Sequence, residues 1–190
     1  MSTGEHGTRK WLMIGLALTI AWAAYLAAFG PRPGGDGLQP PDLTGPALAQ
    51  PAEFDWPLRD LDDRPVDLAG FRGRPILLNI WATWCGPCLR EMPAIDRLAA
   101  DPRIKAKGVA VVCVSVDRDA ATVRRFAGEK ARGMTILRAT SVPPVFQTEG
   151  IPATFLIAPD GRVVASQVGA ARWDDPSVVG FLEQMATAGK

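Results

Sequence analysis

Trp81-Ala82-Thr83-Trp84-Cys85-Gly86-Pro87-Cys88-Leu89-Arg90-Glu91-Met92-Pro93 is the stretch that decides how the rest of the chain is read. The apolar run Pro75 to Trp81 leads into it, and the spacing of Leu89, Met92, Ile95, Leu98 and Ala99 leads out. That pattern predicts a buried strand passing into an amphipathic helix, with two cysteines at the joint. Residues three apart on a helix share a face, so Cys85 and Cys88 can close a short-loop disulfide. Cys85 falls at the helix start, where free N–H groups and the positive end of the macrodipole favour an anion. It is therefore the expected attacking thiol, with Cys88 one turn in as the resolving one. Pro87 sits in the first turn, where its missing N–H costs nothing. Glu91 continues the same face; a carboxylate buried there would have a raised pKa and could take the proton of Cys88.

Other readings of these residues fit less well. A Cys-x-x-Cys pair is also half of a zinc site, which needs two further Cys or His ligands. The chain has Cys113 and His6 only. Haem attachment needs a histidine after Cys88, where Leu89 stands. Glu91 taken alone is an ordinary exposed helix residue, and its alignment with the cysteines is what argues for a role.

The Trp-Cys-Gly-Pro-Cys motif followed by Leu-Arg-Glu-Met-Pro resembles the thioredoxin superfamily, and within it the membrane-tethered TlpA, ResA and CcmG group. The resemblance runs from about Phe54 to Leu182. It includes Gly150-Ile151-Pro152 before an apolar strand, which resembles the family loop whose proline is cis and packs against the active disulfide. It implies that the backbone of Ile151 beside Pro152 is free to pair with an extended client segment next to Cys85. Trp84, Gly86 and Pro87 complete the implied client-binding surface. A third motif, Gly169-Ala170-Ala171-Arg172-Trp173, resembles TlpA-like proteins; taken alone, Trp173 reads as an anchor for the last helix. CcmG proteins carry a longer segment with Gly-Ala-Pro where this chain has Glu149-Gly150-Ile151-Pro152, which favours the TlpA or ResA type.

Length and charge narrow the classes further. At 190 residues with a formal charge of +1, the chain fits one globular domain plus an apolar segment, and nothing in it argues for nucleic-acid binding. Trp11 to Phe29 is an uncharged run of 19 residues, against about 20 needed to span a bilayer. It is longer than the apolar core of about 7 to 15 residues in a cleaved signal peptide. The expected organisation is a cytoplasmic tail 1–10, a signal anchor 11–29, a Pro/Gly-rich linker 30–51 and a thioredoxin-like domain 52–188. Arg9 and Lys10 place the tail in the cytoplasm and the domain on the periplasmic side of the inner membrane.

Within the domain, Phe54–Leu58 and Val66–Leu68 flank the turn-rich Asp60 to Pro65 and predict a hairpin. Gly108 to Val116 reads as a parallel strand covered on both faces, with Cys113 as packing. Asp117 or Asp119 is expected to cap the helix from Ala120 to about Arg132. Met134–Leu137 is a further strand, Pro143-Pro144 open a helical turn, and Asp160-Gly161 turn a hairpin before the helix Pro176 to about Ala186. The fold class is α/β: a mixed central sheet with helices on both faces, extended by an N-terminal hairpin.

No phosphate-binding GxxxxGK[ST] loop is present, and His6 alone cannot serve a Ser-His-Asp or Cys-His hydrolase. No cofactor is expected. A thiol peroxidase on this fold would need a Thr-x-x-Cys setting, which the domain lacks. For a redox-inert copper- or client-binding module, the copper-carrying relatives need a distal histidine that the domain also lacks, and loss of insulin reduction in Cys85→Ser would argue against a purely binding role. The resemblance implies a protein-disulfide reductase acting on apocytochrome c or copper-site assembly proteins, supplied with electrons by a transmembrane donor of the DsbD or CcdA type.

Overall fold

The computed structural model describes residues 15, 18–22, 25, 37–44, 50–130 and 133–188. The chain divides into two units, Met1–Gly37 and Leu38–Lys190. In the first, residues 15, 18–22 and 25 are helical, and Leu18, Ile20, Trp22 and Tyr25 are exposed. Among the described residues no helix is long and apolar enough to cross a membrane. Much of the expected anchor 11–29, all of the tail 1–10, and linker positions 30–36 and 45–49 lie outside the described residues.

The second unit is built around strand β3, Ile76–Trp81, in which every residue is buried. Its neighbours are β4, Ala110–Ser115, paired in parallel from Ile76↔Ala110 to Trp81↔Ser115, and β6, Ala153–Ile157, paired antiparallel from Ile76↔Ile157 to Ile80↔Ala153. The remaining strands are β1 (Pro57–Arg59), β2 (Pro65–Asp67), β5 (Thr135–Arg138) and β7 (Val163–Val168). The sheet order is β2-β1-β5-β4-β3-β6-β7. The helices are α1 (Gly86–Ala100), α2 (Pro102–Ala106), α3 (Ala120–Lys130) and α4 (Pro176–Ala188).

Strand side chains alternate between faces, so the sheet divides the core in two. One face carries Leu77, Trp81, Cys113 and Leu156 against Met92 and Ile95 of α1, Val123 of α3 and Leu182 of α4. The other carries Leu78, Ile80, Val112 and Phe155 against Trp56, Leu68 and Phe146. The long helices thus share one face, where the sequence pointed to helices on both. The steps β3 to β4 and β4 to β5 run the same way across the sheet, so right-handed crossovers put α1 and α3 on the same side. The opposite face is covered by the 3-10 turns Leu68–Phe71 and Pro144–Phe146 and by the segment holding Phe54 and Trp56.

The N-terminal hairpin forms as expected, with Leu58↔Val66 at its centre, but its strands are shorter than read; Phe54 lies before the strand, buried in the core. Asp60 Oδ1 accepts from the N–H groups of Asp62 and Arg64, and Asp63 takes the left-handed turn position at φ 64°. Helix α2 has no counterpart in the sequence reading. Asp101 caps it by accepting from Arg103 N, and Pro102 opens it. Residues 38–44, read as linker, belong to the second unit: Arg172 N donates to Gln39 O at 2.8 Å, and Leu43 packs on the apolar cluster. Burying a leucine and pairing a main-chain carbonyl offsets the entropy lost in ordering that stretch.

Of the two expected caps of α3, Asp119 takes the role, accepting from Ala121 N at 3.0 Å and Thr122 N at 3.1 Å. Asp119→Ala is expected to lower unfolding stability by about 1 kcal/mol, read as a shifted urea midpoint with unchanged slope.

Candidate active site

The end of β3 delivers the cysteines. Ala82 is buried, and Cys85 N donates to Ala82 O at 3.2 Å, turning the chain out of the sheet. Cys85 is the N-cap of α1, at φ −86° and ψ 99°, and Cys88 N donates to Cys85 Sγ at 3.2 Å. Helix N–H groups therefore aim at this sulfur, the placement that stabilises a thiolate. The two cysteines form a disulfide with Cα atoms 5.2 Å apart. Cys85 is 5% exposed and Cys88 is fully enclosed, so only the first can be reached by another protein.

Two segments frame Cys85. The Ile151-Pro152 bond is cis, and the Ile151 carbonyl oxygen lies 3.5 Å from Cys85 Sγ. Trp84 is 70% exposed, and Gly86 and Pro87 are exposed beside it. A groove of about 410 Å³ runs from Trp84 and Ile151 past Ile80, Val116, Phe146 and Thr148. The loop itself is pinned by Asp117, which accepts from Thr83 N at 2.8 Å, Thr83 Oγ1 at 2.7 Å and Ser115 Oγ at 2.7 Å. That is why Asp117 does not cap α3: its carboxylate is engaged in fixing the approach to Trp84 and Cys85.

Glu91 is wholly buried one turn beyond Cys88. Its Oε1 accepts from Asn79 Nδ2 at 2.8 Å, and its Oε2 from Ala171 N and Trp173 Nε1, each at 3.0 Å. Burial pushes its pKa up from 4.5 to about 7; the three donors, which favour the ionised form, pull the other way. The result is a carboxyl group in the core that exchanges its proton near neutrality. Cys113 lies on β4 opposite Asn79, its S–H directed at Met134 Sδ 3.4 Å away, and burial raises its thiol far above the usual range. It is packing, as the valine-rich strand suggested.

The sequence reading named Cys85, Cys88, Glu91, Trp84, Gly86, Pro87, Ile151 and Pro152; the fold sets Trp84 to Cys88 beside Ile151 and Pro152 past the end of β3 and places Glu91 beneath α1 against Asn79. It missed Asn79, Thr154 and Ala171 around Glu91 and Ser115 beneath the loop. Trp173, read as an anchor, is buried and also donates to the carboxylate. One signal was available: Asn79 is the lone polar residue in Ile76-Leu77-Leu78-Asn79-Ile80-Trp81, and a buried polar side chain needs a partner.

Comparison with known proteins places this site in a family. The Redoxin family model matches residues 41–182, which include every group just described. The chain belongs to the Redoxin family. Among its relatives, this Redoxin chain is 33% identical to the thiol-disulfide oxidoreductase ResA of Geobacillus thermodenitrificans over 123 residues, 64% of this chain and 70% of that protein. It is 30% identical to ResA of Bacillus cereus over 112 residues, 58% of this chain, and there spans 64% of the relative's length. A crystal structure from Chlorobium tepidum, of a candidate thiol:disulfide interchange protein DsbE, superposes with a TM-score of 0.59 at 28% identity, covering 75% of this chain and 99% of that one. The thioredoxin domain of a thiol-disulfide oxidoreductase from Bacteroides vulgatus shares the fold, with a TM-score of 0.58 at 21% identity over 72% of this chain and 98% of that one.

Proposed function

We propose that this Redoxin protein is a thiol-disulfide oxidoreductase that reduces client disulfides outside the cytoplasm, held to the membrane by residues 11–29. The observation that carries the reading is the pairing of a reachable Cys85 at a helix N-terminus with an enclosed Cys88 and a buried Glu91 that titrates near neutrality. In the reduced protein, the Cys85 thiolate attacks one sulfur of a client disulfide; that bond breaks, and the client's other sulfur leaves as a thiolate. Cys88 gives its proton to Glu91 and attacks Cys85 Sγ. The mixed disulfide breaks, the client takes away two electrons as a dithiol, and the Cys85–Cys88 bond forms. Trp84, Gly86, Pro87 and the Ile151-Pro152 loop form the surface on which the client strand lies.

The direction of transfer follows from charge. A strong periplasmic oxidant near −120 mV differs from thioredoxin near −270 mV by roughly 7 kcal/mol in thiolate stabilisation. Gly86 and Pro87 add no charge, and an ionised Glu91 opposes a thiolate, so this chain belongs at the reducing end. The resemblance to TlpA and ResA proteins makes apocytochrome c or copper-site assembly proteins the proposed clients, and a transmembrane thiol transporter of the DsbD or CcdA type the electron source. The tether reading draws support from the apolar run 11–29 and from the exposed Leu18, Ile20 and Trp22 on its helical residues.

Redox titration against glutathione and dithiothreitol tests the direction. A potential within about 50 mV of thioredoxin's is the expected result, and one near the strong oxidant's overturns it. Cys88→Ala in the full chain, expressed in membrane-bearing cells, is expected to retain clients as mixed disulfides on Cys85, identifiable by mass spectrometry in the membrane fraction.

A further inference from the structure

Asn79 sits in the middle of β3, fully buried, paired across the sheet with Thr154 on β6 and Cys113 on β4. Paired residues project to the same face, so these three side chains and Glu91 meet beneath α1. Both N–H bonds of the Asn79 amide are used: Nδ2 donates to Glu91 Oε1 and to Thr154 Oγ1, each at 2.8 Å. Its other end is different. Among the described residues, Asn79 Oδ1 is buried with no hydrogen-bond partner. An orphaned buried acceptor is uncommon, and each one calls for a reason.

We propose that Asn79 is a positioning residue for proton transfer at Glu91, its amide donating to the ionised carboxylate and turning over to accept from the protonated one. This rests on the role given to Glu91 above. The two ends of a primary amide have nearly the same shape, so turning over needs no repacking. Once turned, Oδ1 occupies the present place of Nδ2. There it lies within reach of two hydroxyl donors, the Glu91 carboxylic O–H and the Thr154 Oγ1–H. The proton comes from Cys88 during resolution and stays on Glu91 Oε1; no electrons move. In either orientation two hydrogen bonds form and one amide end is unpaired, so neither state is locked. Had Oδ1 been bonded to the sheet, the amide would be fixed as a donor and the protonated acid would be left with an O–H pointed at an N–H. Among the described residues the titratable neighbours of Glu91 are Cys88, one turn earlier on α1, and Cys113 on β4, whose thiol burial keeps protonated; the groups bonded to its carboxylate, Asn79, Ala171 and Trp173, are neutral.

The test is nuclear magnetic resonance on the labelled, reduced full chain from about pH 5 to about pH 9, following the Glu91 carboxyl carbon and the Asn79 side-chain amide. Above the midpoint of Glu91, the Asn79 amide protons are expected to show a cross-relaxation contact with the Thr154 side chain; below it, that contact is lost. A contact that persists through the transition overturns the inference. Asn79→Leu removes the donor to the carboxylate and the acceptor of the acid together, so the Glu91 midpoint is expected to move by less than about half a pH unit, under a roughly three-fold change in proton affinity. A rise of about one unit or more, the result for an amide fixed as a donor, overturns it. If Asn79→Leu does not fold, the wild-type contact decides alone. Glu91→Gln separates the two readings: an unchanged pH profile of disulfide exchange in that variant removes the role of Glu91, whereas a flattened profile with a persistent Asn79–Thr154 contact removes only the amide turn.

Discussion

Cys85→Ser is expected to lose turnover of an insulin disulfide down to the background of dithiothreitol alone, while Cys88→Ser still captures one client per molecule. Serine keeps the size and the N-cap hydrogen bond, so the helix starts as before. What it lacks is a soft, ionisable nucleophile, since a hydroxyl at a helix N-terminus remains protonated where a thiol does not. Cys88 cannot stand in, because it is fully enclosed. Cys88→Ser leaves the attacking sulfur in place but removes the group that releases the client. A mixed disulfide then accumulates to one equivalent, measured as the intact-mass increase of the client. Residual turnover by Cys85→Ser would mean that clients reach Cys88 directly, and would reverse the assigned order of attack.

The place of the two cysteines, where a buried strand passes into a helix, was legible in the sequence because it depends on local patterning. β3 is apolar at every position except Asn79, the cysteines follow it, and the helix period of α1 places Glu91 on their face. The Asp60 to Arg64 turn and the Asp160-Gly161 hairpin are equally local. The surroundings of Glu91 were not legible, because its donors come from across the fold: Asn79 is 12 positions away, Ala171 80 and Trp173 82. No periodicity links those segments; only the strand order and the packing of the last loop do. The choice between Asp117 and Asp119 as a cap had the same character. Both carry a capping side chain, and tertiary contact with Thr83 decides which one is free to cap. Which face the long helices take was not legible either, since the face on which α3 lands depends on where β5 pairs, and a four-residue strand carries little information about its neighbour.

Glu91→Gln is expected to stabilise the oxidised protein progressively as pH rises, gaining about 3 kcal/mol over the wild type between about pH 4 and about pH 8. The ordinary glutamate value of 4.5 describes the unfolded chain, and about 7 describes the folded one. Below the first value both states hold the proton, and the buried neutral acid is tolerated at little cost. Between the two, the unfolded chain releases its proton while the folded chain retains it, so each step up in pH favours unfolding. Above about 7 the folded protein carries a buried carboxylate and the loss is complete. Glutamine keeps a carbonyl to accept from Asn79, Ala171 or Trp173 and does not ionise, so its curve lacks this slope. The aspartates with lowered pKa, among them Asp60, Asp101 and Asp119, act in the opposite sense and below the unfolded aspartate range. The window from 4.5 to 7 therefore isolates Glu91. Urea unfolding of both proteins across that range, with the Cys85–Cys88 bond intact, measures the difference. Parallel curves would mean that the three donors fully offset burial and that Glu91 titrates in the folded chain as it does in the unfolded one. The expected divergence instead identifies a carboxyl kept in the core at a standing cost in stability, which is the signature of a group retained for the proton it carries.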